Sequence, residues 1–157
     1  MTEPRPIVVG VDGSAASRAA LRWATVEAAQ RDLPVLAVMV HLPVGQIMIG
    51  AVPYDALPPS GVAAEHADRE RQLHEIIAET ETHGVPVEQI VVAGKPWEEL
   101  VRLSTTAELL VVGGHSNVLL GTTGSHCARR AQCPVVVLPK PVWMSDKEEV
   151  GHDHPRD

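Results

Sequence analysis

The 157 residues, 45% of them hydrophobic, suit one globular domain with a single core and are too few for two substantial ones. A formal net charge of −7 argues against the broad grip on nucleic acid or anionic lipid that clustered Lys and Arg provide, and leaves a small anionic ligand in a local pocket. With no Phe and a single Tyr54 there are few stacking platforms for single-stranded nucleic acid, and no apolar run nears the roughly 20 residues of a membrane span.

Met1 to Arg5 carries no positive stretch ahead of a signal core, so the cytoplasm is the expected location. Pro6 to Val11 is β-branched and apolar without alternation, which suits a strand covered on both faces and reads as the central one. It runs into Gly10-Val11-Asp12-Gly13-Ser14, where Ser14 can cap a helix over about 15 to 31. In that helix Ala16, Ala19, Ala20, Trp23, Ala24 and Ala28 recur at helical spacing, and Asp32-Leu33-Pro34 closes it. Val35 to His41 is a second buried strand, stopped by Pro43.

Leu42 to Gly61 holds four prolines and an Ile47-Met48-Ile49 cluster without periodicity. A loop of this length serves either as a lid or protein-partner surface or as an insertion without a role. Val62 to Thr82 reads as a more exposed helix with Leu73, Ile76, Ile77 and Thr80 on one face and Gly84 as its stop. Pro86 to Ala93 is a third strand, and Gly94-Lys95-Pro96 turns into a helix from Trp97 to about Thr106 with Leu100, Val101 and Leu103 facing the core. Leu109 to Val112 is the fourth strand, Thr122 to Ala131 the fourth helix, and Pro134 to Leu138 the fifth strand. The charged segment 141–157 reads as a flexible tail, which leaves 1–140 as the folded domain.

Strands and helices alternating in this way imply parallel crossovers and a doubly wound α/β sandwich, an open five-stranded parallel sheet with helices on both faces. Ligand sites of such folds lie beyond the carboxyl ends of the strands, where Asp12, His41 with Leu42, Gly94, and Gly113 to Gly121 fall. Gly113-Gly114-His115-Ser116 follows the fourth strand, and Gly121-Thr122-Thr123-Gly124 opens a helix. That is the layout of a backbone anion site, in which amides freed by glycines and the positive end of a helix hold phosphate.

Other side chains have plainer readings. Asp12 either contacts a ligand or ties the strand-to-helix turn. His41 reads as a structural strand end, His126 as a surface or packing residue, and Lys95 as a solvated turn residue. His115 either adds partial positive charge to the phosphate loop or faces solvent. Cys127 and Cys133 lack zinc spacing and read as small packing residues. His152, Asp153 and His154 are not read as a metal site. Ser14, Ser116 and Ser125 lack the G-x-S-x-G setting, and 113–122 lacks the Lys of a Walker loop, so no catalytic residues are assigned.

Val8-Val9-Gly10-Val11-Asp12-Gly13-Ser14, Val40-His41, Val91-Val92-Ala93-Gly94-Lys95-Pro96 and Cys133-Pro134-Val135-Val136-Val137, in this order and spacing, resemble the universal stress protein family over about residues 5 to 140. The resemblance implies the adenine nucleotide alpha hydrolase-like sheet with strand order 3-2-1-4-5, and a non-catalytic, stress-responsive domain that binds ATP or another adenine nucleotide, with Mg²⁺ only in its company. Nucleotide-binding members carry G-x2-G-x9-G-[ST] after the fourth strand. Gly113 matches its first glycine and Gly121-Thr122 its closing pair, but Ser116 replaces the second glycine and only Asn117 to Leu120 stand where nine residues are expected. Ser116 costs about 1 kcal/mol if its φ must be positive, and each missing residue removes up to about 3.5 Å of reach. The implied cradle is therefore smaller or more open.

The nucleotide contacts that the resemblance implies are Val11, Asp12, Gly13, Ser14, Leu42, Gly94, Gly113, Gly114, His115, Ser116, Gly121, Thr122 and Thr123. Among these, Asp12 would meet the adenosine part and the Leu42 backbone the adenine. The resemblance also implies a homodimer, formed through the edge strand Val135 to Leu138. The other reading is a nucleotide-free dimeric interaction module, whose shortened loop has lost ATP binding and whose 42–61 segment meets a protein partner.

Overall fold

The computed structural model describes residues 3–42, 59–114 and 121–139. Five strands, β1 Ile7–Gly10, β2 Val35–His41, β3 Val87–Ala93, β4 Leu109–Gly113 and β5 Val135–Leu138, form one parallel sheet in the order β3-β2-β1-β4-β5. This is the doubly wound sheet expected from the alternation of elements, in the order that the family resemblance implied. Ile7 pairs with both Val35 and Leu109, so β1 lies at the centre, and its short, fully apolar run suits a strand with no exposed face.

Among the described residues four helices, α1 Ala15–Arg31, α2 Pro59–Ala78, α3 Pro96–Ser104 and α4 Gly121–Arg130, cover the two faces. Alternation along the strands divides the core. Ile7, Val9, Val35, Ala37 and Met39 pack under α1 and α2 with Leu21, Leu73 and Ile76, whereas Val8, Val38, Leu110 and Val112 pack under α3 and α4 with Leu100 and Cys127. The apolar face of α1 is built largely of alanines, which lets the helix backbone come close to the sheet. Its buried set also includes Ser17, Leu21 and Thr25, outside the alanine spacing that located the helix. The Thr25 hydroxyl lies 2.9 Å from the Arg22 carbonyl and 3.2 Å from that of Glu81, one proton shared between its own helix and the connection that follows α2.

The bounds of α2 depart from the sequence reading. It begins at Pro59, not Val62, and stops at Ala78, short of Thr82. At that end the Thr80 hydroxyl donates to the Ile76 carbonyl at 2.7 Å while the Thr80 amide bonds to Ile77, a tightened turn that takes the chain out of the helix before Gly84. Most of the 42–61 segment, residues 43–58, and the whole of the 141–157 tail lie outside the described residues. No helix among the described residues is long and apolar enough to cross a membrane.

Cys127 is fully buried in the α3–α4 layer and Cys133 is half-buried; both are free thiols. Burial, with Cys133 nearby, pushes the Cys127 thiol up to about 11. Burial and the charge of Glu108 likewise raise Cys133 above its ordinary value. Protonated, apolar-packed thiols are packing residues, and the expectation holds for both.

Candidate functional site

The turn after β1 is built from its own polar side chains. Asp12 Oδ1 accepts the Ser14 amide at 2.9 Å, and Ser14 Oγ accepts the Ser17 amide at 3.1 Å as the N-cap of α1. Ser17 Oγ in turn donates to the Ser14 carbonyl at 3.0 Å and accepts the Asp12 amide at 3.2 Å. Gly13 makes this loop sterically possible, since its φ of +86° lies in the left-handed region. Partial burial pushes the Asp12 carboxyl up, but hydrogen bonds from Ser14, then Ser17, outweigh it and hold the carboxyl below its ordinary range. Asp12 therefore serves the turn, as its plainer reading held, and also reaches the cavity beside it.

That cavity, of about 450 Å³, opens past the carboxyl ends of β1 and β4. Here the crossovers leave for opposite faces of the sheet, and a gap between neighbouring loops follows from the topology. Asp12 and Ser14 form part of one wall, Gly113, Gly114, Thr122 and Thr123 part of the other, and Val40 and Leu100 lie along the apolar side. Val11 and Gly121 line it as well.

Eight of the sequence-derived site residues are thus brought together. Gly13, Leu42 and Gly94 are not among the lining, and His115 and Ser116 lie outside the described residues. Leu42 is 42% exposed at the end of β2. Val38, Val40, Pro96 and Leu100 were missed: their facing depends on strand alternation and on which helix covers which side, and a continuous apolar run hides both. His126 is a packing residue, its ring stacked on Trp97 at 4.3 Å with the Arg130 guanidinium 5.1 Å from the same indole.

Gly113 acquires a different meaning from the one its motif suggests. A Cβ at this position would stand 2.6 Å from the Ala16 carbonyl carbon and 2.7 Å from the Ser17 nitrogen, so the start of α1 rests on the bare backbone of β4. Packing alone requires this glycine, although it also lines the cavity. At the other wall the first residues of α4, Gly121 to Gly124, line the cavity, so the helix N-terminus stands at its rim, an arrangement suited to an anion. The one charged side chain in the described lining is Asp12. Among the described residues no group of three or more His, Cys, Asp or Glu is placed to hold a metal ion.

A sheet in this order agrees with the fold of known proteins. The model of the Universal stress protein family matches residues 3–139. The chain belongs to the universal stress protein family. A universal stress protein of Mycobacterium tuberculosis is 33% identical over 161 residues, which cover 96% of this chain and 56% of that protein. The chain spans about half the length of the curated relatives it matches. Among solved structures, a universal stress protein in complex with cAMP matches with a TM-score of 0.63 at 22% identity over 89% of this chain and all of that one. One from Archaeoglobus fulgidus in complex with dAMP gives 0.61 at 23% identity, over 87% of this chain and 99% of that one. At these identities the likeness speaks for the universal stress protein fold.

Two outcomes are expected of this site. Gly113→Ala forces α1 off β4 and lowers stability by about 2 kcal/mol or more in urea unfolding, whereas a loss below half that would deny the close packing. Asp12, held below its ordinary 3.8 when folded, adds stability that is fully present above that value and is lost as pH falls through the lower folded one. In acid titrations followed by circular dichroism Asp12→Asn removes this dependence, which is shallow because water screens the carboxylate.

Proposed function

We propose that the cavity between the ends of β1 and β4 binds an adenine nucleotide without catalysing its turnover, as a stress-responsive sensor. The observation that carries this reading is the pairing of two unlike walls: glycine backbone with the N-terminus and hydroxyls of α4 on one, the Asp12 turn with apolar side chains on the other. The first suits phosphate and the second a nucleoside. Support comes from the family relatives solved with cAMP and dAMP. ATP is the larger candidate, and the loop of four residues where the family pattern has nine favours ligands with fewer phosphates. Any Mg²⁺ arrives with the nucleotide.

One observation favours the second reading, a nucleotide-free interaction module. Since packing of α1 already demands Gly113, that glycine by itself is no argument for a ligand. The two separate in one experiment, in which ligand released from the purified protein is identified by mass spectrometry and ATP, AMP and cAMP are titrated in thermal unfolding. Binding at a hundredfold excess over Kd stabilises the fold by about 2.7 kcal/mol, and the shift shrinks in Thr122→Val. No released nucleotide and no shift at millimolar concentration, with the fold intact, would falsify the nucleotide reading.

We further propose self-association through β5. It is an edge strand of four half-buried apolar residues, with one side of its backbone unpaired within the sheet. Sedimentation equilibrium is expected to report twice the 16.8 kDa chain mass, and a purely monomeric species at tens of micromolar would refute the pairing.

A further inference from the structure

The nucleotide reading leaves unused a buried acid–imidazole pair on the opposite side of the sheet. His41 ends β2 on the face that α1 and α2 cover, is 8% exposed, and among the described residues has no hydrogen-bond partner at Nδ1 or Nε2. Glu65, in the second turn of α2, brings Oε1 to 3.6 Å from His41 Nδ1, while its Oε2 is buried without a partner. Unpaired buried polar atoms are among the costlier features a fold can carry. An added proton acts on the Nδ1–Oε1 contact: the imidazolium donates from Nδ1, Glu65 Oε1 accepts, and opposite charges meet where little water reaches, while Nε2 and Oε2 keep no partner among the described residues.

Among the described residues the titratable groups that face His41 are few. From α2 come Glu65 and His66, whose ring stands edge-on at 6.0 Å and pairs through Nε2 with Glu70 at 2.8 Å. β3 places uncharged Ala93 beside it. In the turn after β1, Asp12 holds the Ser14 amide, and on α1 Arg18 is paired with Glu79 at 3.0 Å.

Contacts run from this pair to the cavity. Glu65, Arg69, Gln72 and Leu73 share one face of α2. Arg69 donates to the Gln72 side-chain oxygen at 3.3 Å, and Gln72 presses so closely on Gly13 that a Cβ there would lie 2.8 Å from its Nε2. Gly13 joins Asp12 to Ser14 in the cavity wall. From the other strand the His41 carbonyl accepts the Gly94 amide at 2.9 Å, two residues before Pro96 of the lining.

We propose that His41 and Glu65 are positioning residues that form a proton-operated latch: a proton taken up between them fastens the start of α2 to the end of β2 and holds the Asp12–Ser14 wall in its ligand-binding shape. By linkage the arrangement that holds the extra proton gains as pH falls, so the latch closes toward acid. Its effect on a ligand rests on the nucleotide reading above, but the latch itself does not.

The test follows amide exchange of α2 and the affinity for cAMP, whose phosphodiester keeps one charge throughout, at about pH 8 and about pH 5.5. The full chain is compared with His41→Gln, Glu65→Gln and, as control, His66→Gln. At the lower pH, after correction for intrinsic rates, residues 65–78 are expected to exchange several-fold more slowly and cAMP to bind about fivefold more tightly. Both changes vanish in His41→Gln and Glu65→Gln and persist in His66→Gln; Glu65→Gln decides alone if His41→Gln does not fold. Exchange that is flat with pH in the unaltered chain, dependence that survives Glu65→Gln or is lost in His66→Gln, or cAMP affinity that stays constant while exchange changes overturns the latch. If cAMP binds at neither pH while exchange behaves as expected, the latch stands and the nucleotide reading falls.

Discussion

The first turn of α1 lies on the backbone of β4 at Gly113, with room for a hydrogen atom and not for a methyl group. This contact sets how deeply the helix sits, and so where the turn that feeds it must end. Asp12, Ser14 and Ser17 close that turn on themselves, each satisfying a backbone amide that the helix start or the strand end would otherwise leave bare. Because β1 and β4 are neighbours whose connections depart to opposite faces, the space beyond them stays open, and the cavity follows from the winding of the sheet and not from one loop.

The two faces of the sheet then do different things. Under α3 and α4 the cavity meets the apolar side chains Val38, Val40 and Leu100, with the α4 N-terminus at its rim. On the α1 and α2 side the Ser17 network ties the start of α1 to the end of β1, and His41 at the end of β2 faces Glu65 of α2. A chain of net charge −7 offers an anion no general attraction, so any anion it holds depends on local dipoles and donors. The glycine-opened start of α4 supplies these, while the ionised Asp12 sits across the cavity from it.

Much of the fold was legible because strand and helix signals did not compete. β1 and β4 are short apolar runs with nothing polar to place on a surface, and α1 carries a cap, an alanine face and a left-handed stop at Asp32. The ends of α2 were less legible. Its start follows a proline-rich stretch without periodicity, and its end is drawn in by the Thr80 hydroxyl, a local bond that competes with the helix and leaves no mark on hydrophobic spacing. In the site, Asp12, Ser14, Gly113 and Thr122 were readable from their motif positions, while the apolar lining was not, since it depends on which side of each strand a given helix covers.

The sequence by itself determined the alternation of strands and helices, the central place of β1, the family, and the end of the sheet at which a ligand site would lie, because each follows from residue order and side-chain periodicity. Only the tertiary structure decided why Gly113 is a glycine and that His41 faces Glu65. The first answer depends on the backbone of Ala16 and Ser17, the second on a helix more than twenty residues further along the chain. Both are contacts between segments remote in sequence, where steric exclusion and unpaired polar atoms arise from packing and leave no local pattern to read.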